Sequence, residues 1–407
     1  MEMTALSVSH PTGRLAGVRV PLPSSKSESN RALIIQALAR EGRIQLGNLS
    51  SARDTQTMIR LLQSSDELLD VLDAGTTMRF LTAFCAAKGR KAVLTGTARM
   101  QQRPIALLVD ALRALGARIA YLGNEGFPPI RIEGFAQTAA EVRIRGDVSS
   151  QYISALLMIA PTLPQGLTLH LEGEIGSKPY IDMTLRLMSH FGVQHVWQGA
   201  AIAIAPQPYT EGTYVIESDW SGASYWYSMA ALAQEADVFI EGLREHSWQG
   251  DNAIVEIMEQ LGVATQFAPR GVQLTKKEAV AKFQYDFTHC PDLAQTIAVI
   301  CAAKGIPAVL TGLKSLRIKE TDRIAALQRE LEKFGTKSVA VGDEALRLYP
   351  DSFRVAGQEV HTYDDHRMAM AFAPLALLGP LSFDDAHVVR KSYPSYWDDL
   401  RSAGFVC

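Results

Sequence analysis

Leu112-Arg-Ala-Leu-Gly116-Ala-Arg-Ile119 reads as the end of a helix, a glycine that stops it and the start of a strand. The pattern recurs as Met188-Ser-His-Phe-Gly192-Val-Gln-His195, Met258-Glu-Gln-Leu-Gly262-Val-Ala-Thr265, Leu331-Glu-Lys-Phe-Gly335-Thr-Lys-Ser338 and Leu400-Arg-Ser-Ala-Gly404-Phe-Val406, at intervals of 69 to 76 residues. A glycine just past a helix supplies the left-handed conformation that closes it, so each recurrence has a mechanical meaning. Four of the marks lead into a strand, a turn and a second strand, most clearly Arg118-Ile-Ala-Tyr121 with Pro129-Ile-Arg-Ile132, and Val339-Ala-Val341 with Leu346-Arg-Leu348. Another helix lies between marks, as in Tyr152-Ile-Ser-Ala-Leu-Leu-Met-Ile-Ala160. The unit is therefore βαβαββ.

A first copy near Met58–Leu69 makes six units, and it lacks its hairpin because Leu61-Leu-Gln-Ser-Ser65 runs almost directly into Leu68-Leu-Asp-Val71. Six units predict an α/β (α+β) fold of two lobes with three repeats each. The stretch Glu217–Ser224 mirrors Pro21–Leu33: extended chain, small polar residues, then a helix. Exchange between lobes at these two places gives an N-terminal lobe at 21–217 and a C-terminal lobe of 1–20 plus 218–407. The two crossovers would form a hinge, with a ligand expected between the lobes.

With 407 residues, 47% apolar and 20% charged, the chain is long enough for two cores and has the composition of a soluble globular protein. A net charge of −3 provides no global field for nucleic acid or an anionic membrane, so an anion must be bound by a local group of cations. Cys85, Cys290, Cys301 and Cys407 have neither paired nor metal-type spacing and read as reduced core thiols. Met1-Glu-Met-Thr4 has no basic n-region leading into an apolar run, and no apolar run reaches the ~18 residues that span a bilayer. These features predict a cytoplasmic protein, expected to be a monomer, with no nucleic-acid or membrane partner.

Cations and hydroxyls collect where helices begin. In Pro21-Leu-Pro-Ser-Ser-Lys-Ser-Glu-Ser-Asn-Arg31, Lys26 lies at a helix start, and Ser27 and Arg31 share a face. Exposed N–H groups and the helix dipole make this an anion pocket. Leu72-Asp-Ala-Gly75-Thr-Thr-Met-Arg79-Phe80 opens a second helix, with Gly75 permitting close approach and Thr76 and Thr77 able to cap. Arg99 and Arg103 precede Pro104; Ser149, Ser150 and Gln151 form a neutral cradle suited to a phosphate or polyol; Ser177-Lys-Pro-Tyr180 repeats the theme. The second half adds carboxylates: Asp292 near the first turn of Ala294–Ala303, and Lys319 and Arg323 one turn apart with Glu320 between them. His366 and Arg367 begin an apolar helix, and Lys391 follows.

Taken in order, Ser25-Lys-Ser27 with Asn30-Arg31, Asp73-Ala-Gly-Thr-Thr-Met-Arg79, Arg99-Met-Gln-Gln-Arg-Pro104, Val148-Ser-Ser-Gln151, Ser177-Lys-Pro-Tyr-Ile-Asp182, Pro291-Asp292, Lys319-Glu-Thr-Asp-Arg323 and Asp365-His-Arg-Met368 resemble the 5-enolpyruvylshikimate-3-phosphate synthase family over almost the whole chain. The resemblance implies two inside-out α/β lobes of three repeats. It implies that Lys26, Ser27, Arg31, Ser149, Ser150, Gln151, Ser177, Asp292 and Lys319 hold shikimate 3-phosphate. Lys26, Gly75, Arg103, Gln151, Arg323, Arg367 and Lys391 would surround phosphoenolpyruvate. Asp292 is implied as base, Glu320 as acid and Lys26 as assistant, with the division of proton transfers among them left open. No metal or organic cofactor is implied.

Four features depart from the family pattern. The first repeat lacks its hairpin, Phe80 stands where many members have proline, Asp73 replaces a common asparagine, and Ser315 occupies a position where many relatives have an asparagine that touches the ring. UDP-N-acetylglucosamine enolpyruvyl transferases share the repeat but carry a loop cysteine, whereas Cys85 lies in an apolar helix. RNA 3′-phosphate cyclases use related repeats and would call for a basic face. A non-catalytic phosphometabolite-binding relative is the remaining alternative, and the intact acid, base and cation positions argue against it.

Overall fold

The computed structural model describes residues 4–40, 42–147 and 149–407. Met1–Met3 of the leader reading and Val148 of the quoted serine motif lie outside the described residues. The chain forms two compact units. The inserted unit consists of Lys26–Ser50 and Asp54–Ile216; the terminal unit consists of the residues up to Ser25, Ser51–Arg53 and Glu217–Cys407.

In the inserted unit, strand Leu68–Asp70 pairs in parallel with Ala92–Thr95, which continues antiparallel to Ile130–Phe135 and then Ala117–Tyr121. Glu141–Arg145, Leu167–Glu172, Ala201–Ile204 and Val196–Gln198 repeat the arrangement. Each sheet is thus one parallel pair plus a hairpin, and the helices between its strands complete βαβαββ. The remaining sheet has only two strands, Ile44–Gly47 parallel to Gly212–Val215. Its second helix, Arg53–Gln63, runs straight on to Leu68–Asp70, so this repeat has no hairpin.

The terminal unit contains Leu15–Val20 parallel to Ala236–Glu241 with the hairpin Val263–Ala268/Gly271–Lys276. It also contains Phe283–Asp286 parallel to Ala308–Thr311 with the hairpin Lys337–Val341/Ala345–Tyr349. In the last sheet Glu359–Val360 runs parallel to Leu381–Phe383, and the hairpin position is filled by Leu6–Val8 from the other end of the chain. Ser9 bridges to Val406 beside it.

All five marker glycines adopt positive φ, from 83° at Gly192 to 110° at Gly116. At Gly116 a Cβ would lie 2.0 Å from the carbonyl oxygen of Ala136, so both backbone conformation and space demand glycine.

The sheets cover helices that are buried on almost every side. In the inserted unit these are Lys26–Leu38, Gly75–Ala87 and Ser150–Ile159; in the terminal unit they are Trp220–Leu232, Ala294–Ala303 and His366–Phe372. Helices inside and sheets outside give each unit its inside-out architecture. Among the described residues, no helix is long and apolar enough to cross a membrane.

Candidate active site

Four of the six central helices are open near their N-terminal ends. Ser150–Ile159 is buried except at Gln151, and Trp220–Leu232 except at Ser221. Gly75–Ala87 is open at Thr76 in its first turn, and Lys26–Leu38 at Lys26 and Ser27. Polar side chains therefore gather where unpaired helix N–H groups and positive dipole ends are presented.

In the inserted unit, Nζ of Lys26 is 3.0 Å from Oδ2 of Asp54, a buried residue near the start of Arg53–Gln63. The backbone oxygen of Asp54 accepts from Oγ1 of Thr77 at 3.3 Å. Nε2 of Gln151 donates to Oγ1 of Thr76 at 3.1 Å. The expectation that Thr76 and Thr77 cap their helix is therefore corrected: the N-cap is Ala74, without a side-chain bond, and both threonines tie the helix to neighbouring elements.

Gly75 adjoins two guanidinium groups. A Cβ there would meet Nη1 of Arg79 at 2.7 Å and Nη1 and Nη2 of Arg103 at 2.8 Å. Arg79 is fixed by bonds to the carbonyls of Gly75 (3.0 Å) and Pro104 (3.1 Å), the latter also accepting from Tyr152. Ser149 caps Ser150–Ile159 by accepting from the backbone N–H of Gln151, and Ser150 lies buried in the first turn. Ser177 occupies the N-cap position of Lys178–His190 in left-handed backbone, φ 53°, without a side-chain capping bond.

Arg31 points deeper into the unit. Its Nε donates to Oγ1 of Thr184 at 2.7 Å, Nη2 to Oγ of Ser154 at 3.2 Å and Nη1 to the carbonyl of Ser27 at 2.9 Å. Its guanidinium carbon lies 5.4 Å from the Phe80 ring centroid and 5.9 Å from that of Tyr180. Burial pushes its pKa down to about 10, against the opposing pull of Tyr180 and Glu28. Arg31 is thus a structural tie, with its guanidinium over the rings of Phe80 and Tyr180.

In the terminal unit, Asp292 lies in the single turn Pro291–Leu293 before Ala294–Ala303 rather than inside that helix. Its Oδ1 is 2.9 Å from Nη1 of Arg323 and 3.4 Å from Nζ of Lys319; its Oδ2 is 2.9 Å from Nη2 of Arg367. Burial alone would raise its pKa, but Arg367, Lys319 and Arg323 outweigh it and hold the carboxyl well below the usual carboxylate range. Burial pulls the Lys319 ammonium down in turn, with Asp292 opposing.

Arg323, 2% exposed, also meets Glu320 at 2.9 Å and Asp365 at 2.7 Å. Burial would lower its pKa, but Asp365, Glu320 and Asp292 raise it above the ordinary value. Lys391, also 2% exposed, lies 3.7 Å from Oε1 of Glu320. The helix begins only at Arg323, with Asp322 as its cap, so Lys319 and Glu320 belong to the preceding turn; this corrects the one-helical-turn spacing expected for Lys319 and Arg323. Ser315 lies in the short 3-10 turn Lys314–Ile318.

The structure therefore places Lys26, Ser27, Gly75, Ser149, Ser150, Gln151 and Ser177 at the helix-start turns of one unit, with Arg103 against Gly75 and Arg31 one turn further into its helix. It brings Asp292, Lys319, Glu320, Arg323, Arg367 and Lys391 into one charge cluster in the other. Sequence reading missed the residues that hold them: Asp54 under Lys26, Thr184 and Ser154 under Arg31, Asp365 beside Arg323, and Ser221 and Tyr225 against Arg367. Asp365 carried the one usable signal, since it precedes His366-Arg367 as a helix cap.

Six repeats with buried helices inside and sheets outside define an enolpyruvyl-transferase-type fold. The chain superposes on EPSP synthase from Acinetobacter baumannii with a TM-score of 0.78 over 99% of both chains at 21% identity. The enolpyruvyl transferase NikO from Streptomyces tendae gives 0.74 over 99% of this chain and 98% of that one, at 14% identity. A sequence model described as EPSP synthase (3-phosphoshikimate 1-carboxyvinyltransferase) matches residues 10–65 and 63–400. A 3-phosphoshikimate 1-carboxyvinyltransferase from Bacteroides fragilis is 52% identical over 392 residues, covering 95% of each chain. One from Neisseria meningitidis is 37% identical over 428 residues, covering 97% of this chain and 98% of the relative. The chain belongs to the EPSP synthase family.

Proposed function

We propose that the protein transfers the enolpyruvyl group of phosphoenolpyruvate to the 5-hydroxyl of shikimate 3-phosphate, releasing phosphate. The observation that carries the reading is the cluster around Asp292: two guanidinium groups and an ammonium converge on one carboxylate, with the acid Glu320 tied to the same Arg323. Both substrates are small polyanions, and acids and cations in contact are what their chemistry requires.

The 5-hydroxyl oxygen bonds to C2 of phosphoenolpyruvate as C3 takes a proton, giving a tetrahedral adduct. The C2–O bond to phosphate then breaks and a C3 proton leaves, restoring the double bond in the product. In this reading Asp292 takes the hydroxyl proton, Glu320 supplies and recovers the C3 proton, and Lys26 assists. Arg103, Arg323, Arg367 and Lys391 neutralise the carboxylate and the departing phosphate, with Gly75 and Gln151 beside them. Ser27, Arg31, Ser149, Ser150, Gln151 and Ser177 hold shikimate 3-phosphate, together with Lys26, Lys319 and Asp292. The same reading takes the enzyme as a cytoplasmic monomer.

The deciding assay is phosphate release from phosphoenolpyruvate in the presence of shikimate 3-phosphate or of UDP-N-acetylglucosamine. Release with the first alone is expected. Release with the second, or with neither, would overturn the reading.

A further inference from the structure

Arg367 makes contacts beyond Asp292, and these lead to a residue outside every motif above. Nη2 donates to Oγ of Ser221 at 3.3 Å, and Nη1 to the hydroxyl of Tyr225 at 3.4 Å and the carbonyl of Asp292 at 3.2 Å. Oγ of Ser221 in turn donates to Oδ2 of Asp251, a residue 2% exposed in the turn Gly250–Ala253. A serine hydroxyl has one proton and two lone pairs. With the proton directed at an acceptor-only carboxylate, the oxygen can present only lone pairs to the guanidinium.

The surrounding chain is built to hold this geometry. The backbone N–H of Ser221 is capped by Asp219 at 2.8 Å. Gln249, two residues before Asp251, accepts from the backbone N–H of Trp220 at 3.1 Å and donates to the carbonyl of Ser218 at 2.8 Å. Side chains thus staple the Asp251 turn to the helix start that carries Ser221.

We infer that Asp251 and Ser221 act as a positioning pair that holds Arg367 in its phosphoenolpyruvate-binding orientation; this rests on the assignment of Arg367 proposed above. The need for a second anchor follows from Asp292. When that carboxylate turns toward a substrate hydroxyl, Nη1 keeps the Tyr225 hydroxyl and the Asp292 carbonyl, but Nη2 is left with Ser221. The Asp251–Ser221 relay supplies an acceptor that takes no part in proton transfer, strengthened by the charge behind it.

The test is a double-mutant cycle on the full-length enzyme, measuring kcat and both KM values for wild type, Asp251→Asn, Ser221→Ala and the double variant, with Arg367→Lys alongside. Each single variant is expected to raise KM for phosphoenolpyruvate about ten-fold while leaving KM for shikimate 3-phosphate within about two-fold. The double variant should be no worse than either single one, because both act through one hydroxyl. Additive losses, or equal rises in the two KM values, would overturn the pair. Should Asp251→Asn fail to fold, Ser221→Thr decides: it keeps the hydroxyl and should restore the KM that Ser221→Ala raises, and equal values in the two would refute the inference. If Arg367→Lys leaves the phosphoenolpyruvate KM unchanged, the functional assignment of Arg367 fails instead.

Discussion

Asp292 presents its Oδ2 to Nη2 of Arg367 at 2.9 Å while its Oδ1 faces Arg323 and Lys319, so its carboxylate lies on the two guanidinium groups proposed to receive the carboxylate of phosphoenolpyruvate. The side chain and the substrate carry the same planar anion, and one guanidinium edge cannot pair fully with both. Substrate must displace Asp292, and displacement removes the cations that make Asp292 a poor base.

Asp292→Ala should therefore separate binding from chemistry. Turnover falls by ~10²-fold or more. Calorimetric titration with phosphoenolpyruvate alone should show affinity tightening by about ten-fold as the competitor is removed. Glu320→Ala should lose turnover to a similar extent. Near-normal turnover in both variants would remove the acid–base assignment, and weaker phosphoenolpyruvate binding in Asp292→Ala would remove the competition.

The same clamp has a pH signature. A carboxyl held below its unfolded value, ordinarily near 4, contributes stability that is fully present above that value and disappears as pH falls through the folded one. Asp292→Asn should thus be less stable than wild type by about 1–3 kcal/mol at pH 7, allowing for partial exposure of the carboxylate. The gap should hold down to about pH 4 and narrow progressively as the pH falls below it toward the folded value. Denaturant titrations at about pH 7, 4.5 and 2.5 would show it; a gap that widens on acidification would mean that the carboxyl is not clamped.

Much of this fold was legible because its punctuation is local. A left-handed glycine after a helix is a property of a few residues, and all five marks adopt the expected backbone. The strands that open the first repeat and close the last were less accessible. Gly212–Val215 pairs with Ile44–Gly47, and Leu6–Val8 completes a sheet near the far end of the chain; neither partnership leaves a trace in nearby sequence. The site divides along the same line. Lys26, Arg103, Asp292 and Arg367 could be read from residue type and position at helix starts. The residues that fix them, buried Asp54 and Asp365 and half-buried Ser221, are ordinary polar residues whose partners exist only after folding. The four cysteines read as core thiols, but Cys407 is only partly buried.

Gly75 offers a change that should alter binding without unfolding the protein. An alanine Cβ would press on the tips of Arg79 and Arg103, which are ends of long side chains and can move, rather than on backbone. Gly75→Ala should shift the melting temperature by no more than a few degrees. It should raise KM for phosphoenolpyruvate about ten-fold, since displaced guanidinium groups lose directional bonds to an anion, while KM for shikimate 3-phosphate changes less. Steady-state kinetics with each substrate varied in turn would check this; an unchanged phosphoenolpyruvate KM would place the substrate away from this turn.

The thiols should be chemically quiet. Burial pushes Cys85 up to about 12, with only Arg90 pulling back, and Cys407 up to about 11; Cys290 and Cys301 are raised as well, again chiefly by burial. At pH 7.5 the reactive thiolate is then on the order of 10⁻⁴ of the population or less at every cysteine. Iodoacetamide at that pH should leave activity intact. Because thiolate grows with pH, alkylation should accelerate about ten-fold per pH unit and appear first at Cys407, the least buried of the four. Peptide mapping by mass spectrometry after treatment at pH 7.5 and 9.5 would locate the label. Rapid inactivation at pH 7.5, with label on Cys85 or Cys290, would show a low-pKa thiol near the chemistry and reopen the comparison with transferases that use one.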